Sequence, residues 1–203
     1  SAQDPAMALL TEPLQFLVPA AHGLSVPVGG FLRAWQAQRV LFDELLGMQV
    51  ALEQTAQRLA NCLGAGGKLL WCGQGASVAT AQRLAATLSG VLRPDGRPLA
   101  ALALSGLGMD VLARQVQALG RPGDAIVMLS AGTAPGPLLE AARAAADGAL
   151  LVVGLLGPAP EELAADCHLT LQLPEAPPER REEAELFLGH CLCGLIRQQL
   201  AGA

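Results

Sequence analysis

Two segments of the sequence that combine glycine with hydroxyl side chains are typical of turns that bind oxyanions. The first, Cys-Gly-Gln-Gly-Ala-Ser, includes Gly73, Gln74, Gly75 and Ser77, and it separates an apolar segment from a helical pattern. Glycine permits backbone angles that other residues avoid. Ser77 would begin the helix, where backbone N–H groups attract an anion. The segment is predicted to bind phosphate, and the alternative is an ordinary structural turn.

The second segment, Ser-Ala-Gly-Thr-Ala-Pro-Gly, starts at Ser130 and follows another apolar run. Ser130 and Thr133 supply hydroxyl groups, and Gly132 allows a tight loop. Pro135 and Pro137 remove two backbone donors, so the loop is less suited than the first to enclosing a phosphate in N–H groups. We expect these residues to form the other wall of a phosphosugar site.

Neither segment matches a nucleotide-binding motif. Val78 occupies the place of the third glycine of a dinucleotide fingerprint, and the Gly-Lys-Ser/Thr ending of a Walker loop is absent. A ligand smaller than a nucleotide is therefore favoured.

The strongest candidates for acid–base chemistry lie near the C-terminus. His190 follows Glu182 by eight residues in a helical pattern, which places the two side chains near one face of a helix, two turns apart. This spacing allows proton transfer or a weak metal site at His190. The competing interpretation is a histidine that is solvated or lies in an interface.

The elements that would position these residues alternate along the chain. Apolar strands that alternate with helices predict a parallel sheet covered on both faces, in which ligands bind at the carboxyl ends of strands. Strands are predicted at residues 68–72, 99–104, 125–129, 150–155 and 168–171, and helices at 31–45, 48–63, 77–88, 109–119, 138–146, 161–165 and 179–200.

Charge and composition exclude several classes of partner. The net charge is −5 and Lys68 is the single lysine, which argues against direct nucleic-acid binding. The longest apolar run, residues 148–157, is too short to span a membrane. Five cysteines without a Cys-x-x-Cys pair suit a reducing compartment, so a cytoplasmic protein is expected.

Three segments, residues 66–88, 115–130 and 190–196, resemble the sugar isomerase (SIS) domain family, in its phosphoheptose isomerase branch. The resemblance covers residues 31–200. It implies a three-layer α/β/α sandwich around a five-stranded parallel sheet, in which Ser77 and Ser130 bind a sugar phosphate. It also implies a homotetramer held by N-terminal helices within residues 30–64.

The predicted domain organisation combines this resemblance with the start of the sequence, where prolines 5, 13, 19 and 27 occur without a helical period. Residues 1–29 are predicted to be a tag remnant and a loosely ordered leader, and residues 30–203 a single SIS domain. Within this domain, residues 65–203 form the α/β core and the C-terminal helix.

The sequence departs from the isomerases at the positions that carry chemistry. Arg83 and Thr87 stand where the family has a histidine and a glutamate for metal binding and proton transfer, whereas Glu182 and His190 match a glutamine and a histidine. Arginine and threonine cannot act as bases at neutral pH. These departures predict a protein without catalysis and without a cofactor.

The Cys-Leu-Cys segment that follows His190 resembles DiaA, the DnaA initiator-associating protein of this branch. The resemblance implies a tetramer that binds the replication initiator DnaA and promotes initiation. The alternatives are a sedoheptulose 7-phosphate isomerase, which would use zinc, His190 and Glu182, and a phosphosugar-binding regulator.

Overall fold

The computed structural model describes residues 29–90, 97–132, 136–158 and 161–202. The chain divides into two units, Ser1–Arg33 and Ala34–Ala203. Of the first unit, the structure describes residues 29–33, which include the beginning of the first helix. The second unit contains the remaining elements. The predicted leader lies almost wholly outside the described residues, so the division at residue 29 stays a prediction.

Helices and strands alternate after two N-terminal helices. The described elements are α1 Gly30–Leu45, a 3₁₀ turn Leu46–Met48, α2 Gln49–Gly64, β1 Leu69–Gly73, α3 Ser77–Leu88, β2 Ala101–Ala103, α4 Val111–Leu119, β3 Ala125–Ser130, α5 Gly136–Asp147, β4 Leu151–Leu156, α6 Glu161–Ala165, β5 Leu169–Gln172 and α7 Pro178–Ala201.

The five strands form one parallel sheet in the order β2-β1-β3-β4-β5. Leu69 of β1 pairs with Ala125 of β3, and Gly73 with Leu129, so these two strands end at the same level. The chain order reverses between β1 and β3. The carboxyl ends of two such neighbouring strands form the crevice where α/β sheets bind ligands.

Apolar side chains cover both faces of the sheet. One core cluster joins α1, α2, α3 and α7 to side chains such as Trp71 and Val127. The other joins α4, α5 and α6 to alternate strand residues such as Leu70 and Ile126. The connections after β1 and β3 therefore leave toward opposite faces, and their loops border the crevice between them.

The predicted fold class is confirmed, and the predicted elements are present with shifts of one or two residues at their ends. The second strand, predicted at residues 99–104, is observed at Ala101–Ala103. Within the described residues it lies at the sheet edge and pairs with β1 alone, so fewer hydrogen bonds define its length. Among the described residues, no helix combines the length and apolar character that crossing a bilayer requires.

Candidate functional site

A cleft of about 210 Å³ opens at the carboxyl ends of β1 and β3. Residues from both loops and from α7 line it: Gln74, Gly75, Ala76, Ser77, Ser130, Ala131, Gly132 and Glu182. The structure thus brings five of the predicted phosphosugar-binding residues together with Glu182. Gly73 ends β1 just before the lining residues. Thr133 lies outside the described residues, so its predicted role stays a prediction.

The first loop, residues 73–76, has a shape that two glycines make possible. A Cβ atom on Gly73 would lie 2.2 Å from the backbone oxygen of Ser77, so any side chain would collide with the start of α3. Gly75 has a φ of 60°, in the left-handed region. Gly75 and Ala76 are exposed residues at the positive end of α3, where backbone N–H groups favour an anion.

Ser77 links three parts of the site. Its side chain is almost fully buried, with 2% exposed. Its hydroxyl donates a hydrogen bond to Oε2 of Glu185 over 2.8 Å and accepts one from the N–H of Ala131 over 3.2 Å. The hydroxyl proton therefore points toward α7, while the oxygen holds the second loop against the first.

The second loop is also held through the carbonyl oxygen of Ala131. Nε of Arg181 donates to the carbonyl oxygen of Ala131 over 2.8 Å, and Nη1 of the same guanidinium donates to Ala176. Both polar groups of Ala131 are therefore held by side chains distant in sequence. This arrangement gives the cleft a defined wall before any ligand binds.

Glu185 is a buried acid directly behind the cleft. Its side chain has no exposed surface, and Oε1 has no hydrogen-bond partner among the described residues. Burial raises the pKa of Glu185 to about 7, and the nearby charge of Glu182 adds to this effect. The neighbouring hydroxyl groups of Ser77 and Thr80 act in the opposite direction. The carboxyl group therefore exchanges its proton near neutral pH.

The sequence analysis did not identify Glu185, because it lies within the charged run 178–185, which is typical of a capped, acidic first turn of a helix. A signal was nevertheless present, since Ala184 and Leu188 continue the apolar stripe of α7 on both sides of it. All three positions are buried. A carboxylate inside an apolar stripe is unusual and indicates a specific partner.

His190 lies on α7 outside the lining of the cleft, where it faces α3. Nε of Arg83 donates to Nε2 of His190 over 3.3 Å. Gly189 permits this close approach of the two helices, since a Cβ there would lie 2.3 Å from Leu84. Eight residues of helix separate His190 from Glu182, or about 12 Å along the axis.

The side chains around His190 do not fit the zinc ion of the isomerase alternative. Zinc sites require three or four nitrogen, sulfur or oxygen ligands. Beside His190 the structure places the cationic Arg83, and Thr87 donates its hydroxyl proton to the carbonyl oxygen of Arg83. In the part of the chain that the structure describes, no three His, Cys, Asp or Glu residues are grouped as metal ligands.

A larger cavity, of about 690 Å³, opens at the opposite end of the sheet and is mainly apolar. Arg97 and Arg197 line it, and the guanidinium of Arg197 already donates to the carbonyl oxygens of Arg97, Thr87 and Leu88. Arg197 therefore caps the C-terminus of α3, and we place the functional site at the smaller cleft.

The chain is similar to known proteins over most of its length. The family described as SIS domain matches residues 39–157. A phosphoheptose isomerase of Rhodospirillum rubrum is 35% identical over 74% of this chain and 86% of its own length. The corresponding enzyme of Desulfovibrio desulfuricans is 39% identical over 71% and 74%.

A solved structure shows the same architecture. The phosphoheptose isomerase of Francisella tularensis superposes with a TM-score of 0.76 and 25% identity, over 85% of this chain and 99% of that one.

These comparisons correct the predicted function. The expectation of a non-catalytic, DnaA-binding protein of DiaA type is wrong, because relatives that match most of the chain at 35–39% identity are phosphoheptose isomerases. The expectation gave decisive weight to Arg83 and Thr87. Because these residues replace the histidine and glutamate of the family, the expectation gave less weight to a similarity that extends over the whole domain.

Proposed function

Because the chain belongs to the SIS domain family, and within it to the phosphoheptose isomerase branch, we propose that it interconverts the aldose and ketose forms of a seven-carbon sugar phosphate. The observation that carries this proposal is the 35–39% identity to phosphoheptose isomerases over about three-quarters of the chain. The cleft between the β1 and β3 loops supplies a site for the phosphate group.

In this proposal neutral donors hold the phosphate. Gly75 and Ala76 contribute backbone N–H groups at the start of α3, and Ser130 lines the facing wall. Glu182 is the charged side chain among the lining residues, and its carboxylate would repel an anion. Binding therefore depends on directed hydrogen bonds and on the end of α3.

Proton transfer is assigned to the region of His190. In an open-chain heptose 7-phosphate, C1 and C2 lie at the opposite end from the phosphate, so the reacting carbons extend beyond the cleft. We propose that His190 moves the proton between them. Arg83, whose guanidinium contacts His190, stabilises the negative oxygen that develops in the enediolate. No step passes through a metal ion.

The test is turnover of sedoheptulose 7-phosphate by the purified chain, with zinc and with a chelator. We expect turnover in both conditions and a fall in kcat of at least about 100-fold in His190→Ala. Glu183→Gln is the matched control, since Glu183 is an exposed acid on the same helix that pairs with Arg180. Absence of turnover by the folded wild-type protein would refute the proposed function.

A second candidate, phosphosugar binding without turnover, is supported by the hydrogen bond between Arg83 and His190, which occupies Nε2 of the imidazole. Thermal-shift measurements with the same sugar phosphate separate the two candidates. A ligand that binds only the folded state raises the melting temperature whether or not it reacts.

We also propose that the chain forms the homotetramer expected for its family. Apolar side chains are exposed on the N-terminal helices and the turn between them, including 47% of Trp35, 75% of Leu46 and 65% of Val50. Apolar groups concentrated in this way are typical of interaction surfaces. The predicted cytoplasmic location stays a prediction.

A further inference from the structure

Glu185 and Ser77 together determine what the cleft offers to a ligand. The hydroxyl of Ser77 has one proton, and in the structure that proton is donated to Oε2 of Glu185. One lone pair of the same oxygen accepts the N–H of Ala131. With this arrangement Ser77 can offer the cleft only its remaining lone pair.

A phosphate or sulfate dianion cannot use that lone pair, because all of its oxygens are acceptors. To bind such a group, Ser77 must turn its proton into the cleft. Its oxygen would then need a different donor from behind, since the ionised Glu185 and the oxygen of Ser77 are both acceptors and would repel each other.

We propose that Glu185 is a specificity-determining residue of the cleft, and that it takes up a proton when an oxyanion binds beside Ser77. The protonated carboxyl donates its O–H to Oγ of Ser77, and the Ser77 hydroxyl donates in turn to the anion. One proton moves from solvent to Glu185, and no other bond forms or breaks. This inference rests on the proposed phosphate site and deepens it.

The surroundings of Glu185 favour this exchange. Its carboxyl group is fully buried, and Oε1 lacks a hydrogen-bond partner among the described residues. Both features raise the free energy of the ionised form relative to that of the neutral form. Burial raises the pKa of Glu185 to about 7, so little free energy is needed to protonate it at neutral pH.

Few charged groups among those that face Glu185 affect the pKa of its carboxyl group. Across the helix interface, α3 presents the neutral hydroxyls of Ser77 and Thr80. On α7, Glu182 raises the pKa through its negative charge, whereas the guanidinium of Arg181 is directed to the carbonyl oxygens of Ala131 and Ala176. The pair formed by Arg83 and His190 lies further along the two helices.

The test measures sulfate binding by isothermal titration calorimetry between pH 6 and pH 8 at constant ionic strength. Sulfate keeps its charge over this range, so any change in affinity comes from the protein. We expect the Kd of the wild-type protein to increase about tenfold from pH 6 to pH 8. Titrations in two buffers of different ionisation enthalpy should show uptake of close to one proton per sulfate at pH 8.

Glu185→Gln distinguishes this role from a structural one. The glutamine amide always has N–H groups to donate to Ser77, so the variant should bind sulfate with the pH 6 affinity of the wild type at every pH. Glu182→Gln is the matched variant. It keeps the pH dependence, with a midpoint moved to lower pH because a negative charge near Glu185 has been removed.

Three results would overturn the inference: a wild-type Kd that does not change with pH, a Glu185→Gln variant that keeps the wild-type slope, or no sulfate binding at pH 6. The proton-uptake measurement uses the wild-type protein alone, so it decides the question even if Glu185→Gln fails to fold. Turnover of sugar phosphate is measured separately, and its absence would refute the isomerase proposal without affecting the linkage between sulfate and protons.

Discussion

Nε of Arg83 donates a hydrogen bond to Nε2 of His190 across the interface between α3 and α7. The guanidinium thus lies beside the imidazole at a position where the isomerase pattern has a metal-binding histidine. In the proposed isomerisation, its fixed positive charge would stabilise the developing enediolate oxygen.

Replacing Arg83 with methionine should lower kcat for the proposed isomerisation about 100-fold, with a smaller change in KM, because the lost charge acts mainly on the transition state. Arg83→Lys keeps a charge but lacks the forked donor, so its kcat should be intermediate. Steady-state kinetics on the three proteins tests this order. Gln82→Ala, at an exposed neighbouring position of α3, is the control, and an unchanged kcat in Arg83→Met would contradict the assignment.

The buried acid behind the cleft should make stability depend on pH. The pKa of Glu185 is higher in the folded protein than in the unfolded chain, so the folded state holds the extra proton and loses stability as the pH rises from about 4.5 to 7. The free energy of unfolding of Glu185→Gln, relative to that of the wild type, should therefore increase by about 3 kcal/mol between pH 4.5 and pH 8.

Urea denaturation at the two pH values measures this difference. Glu183→Gln, which removes an exposed carboxylate from the same helix, should show a much smaller pH effect. Parallel stability profiles for Glu185→Gln and the wild type would show that Glu185 does not titrate as described.

The turn after β1 should tolerate a side chain at one glycine and reject it at the other. Gly73→Ala would place Cβ 2.2 Å from the backbone oxygen of Ser77, and we expect a loss of about 3 kcal/mol or failure to fold. A Cβ atom at Gly75 would have no neighbour within 4 Å. Gly75→Ala should therefore lose about 1 kcal/mol of stability, because alanine disfavours the φ of 60°. Thermal denaturation of the two variants checks this order, and equal losses would contradict it.

A second buried acid fixes the opposite end of the sheet. Burial alone would raise the pKa of Asp124. Hydrogen bonds from Nζ and the backbone N–H of Lys68 and from the N–H of Arg121 outweigh that effect, so the pKa lies below its ordinary value. The stability from these contacts is present above pH 4 and is lost as the pH falls further.

Asp124→Asn should destabilise the protein by about 3 kcal/mol at pH 7, because a buried charge-assisted network loses its acceptor. The loss should shrink when unfolding is measured at pH 3. The control is Asp147→Asn, at an exposed position of α5. An equal effect of Asp124→Asn at both pH values would contradict the proposed network.

The exposed apolar side chains of the N-terminal region should control association. Analytical ultracentrifugation of the wild-type chain should give four times the monomer mass of 20.8 kDa. Leu46→Gln combined with Val50→Gln should shift the population to smaller species. Leu107→Gln is the control, since Leu107 is 97% exposed but lies on a loop outside these helices. A monomeric wild-type protein would refute the tetramer.

The fold could be read from the sequence because its signals are local. Two fully buried strands, Leu69–Gly73 and Ala125–Ser130, are almost entirely apolar, and this composition alone predicts buried strands. The two loops of the cleft followed from the rule that parallel strands end at one edge. Glycine and serine spacing alone was sufficient to locate them.

The chemistry of the site depends on contacts that no local pattern reveals. Ser77 and Glu185 are 108 residues apart, and Arg83 and His190 are 107 apart. Each pair joins α3 to α7, which lie close together at Gly189. Glu185 and Arg181 belong to a charged run that is typical of an acidic first turn of a helix, yet both side chains are buried and hold the cleft together.

Because side chains of α7 hold Ser77 and Ala131, these contacts can form only after α7 has been synthesised. A nascent chain that has emerged from the ribosome through β5 contains every strand of the sheet, but neither Glu185 nor Arg181 is yet available to join the two loops. During the early stages of folding the two loops therefore lack these contacts with α7. Intermediates that form before α7 emerges are held by the sheet and the helices that precede α7, and apolar surface that α7 later covers makes such intermediates prone to aggregation.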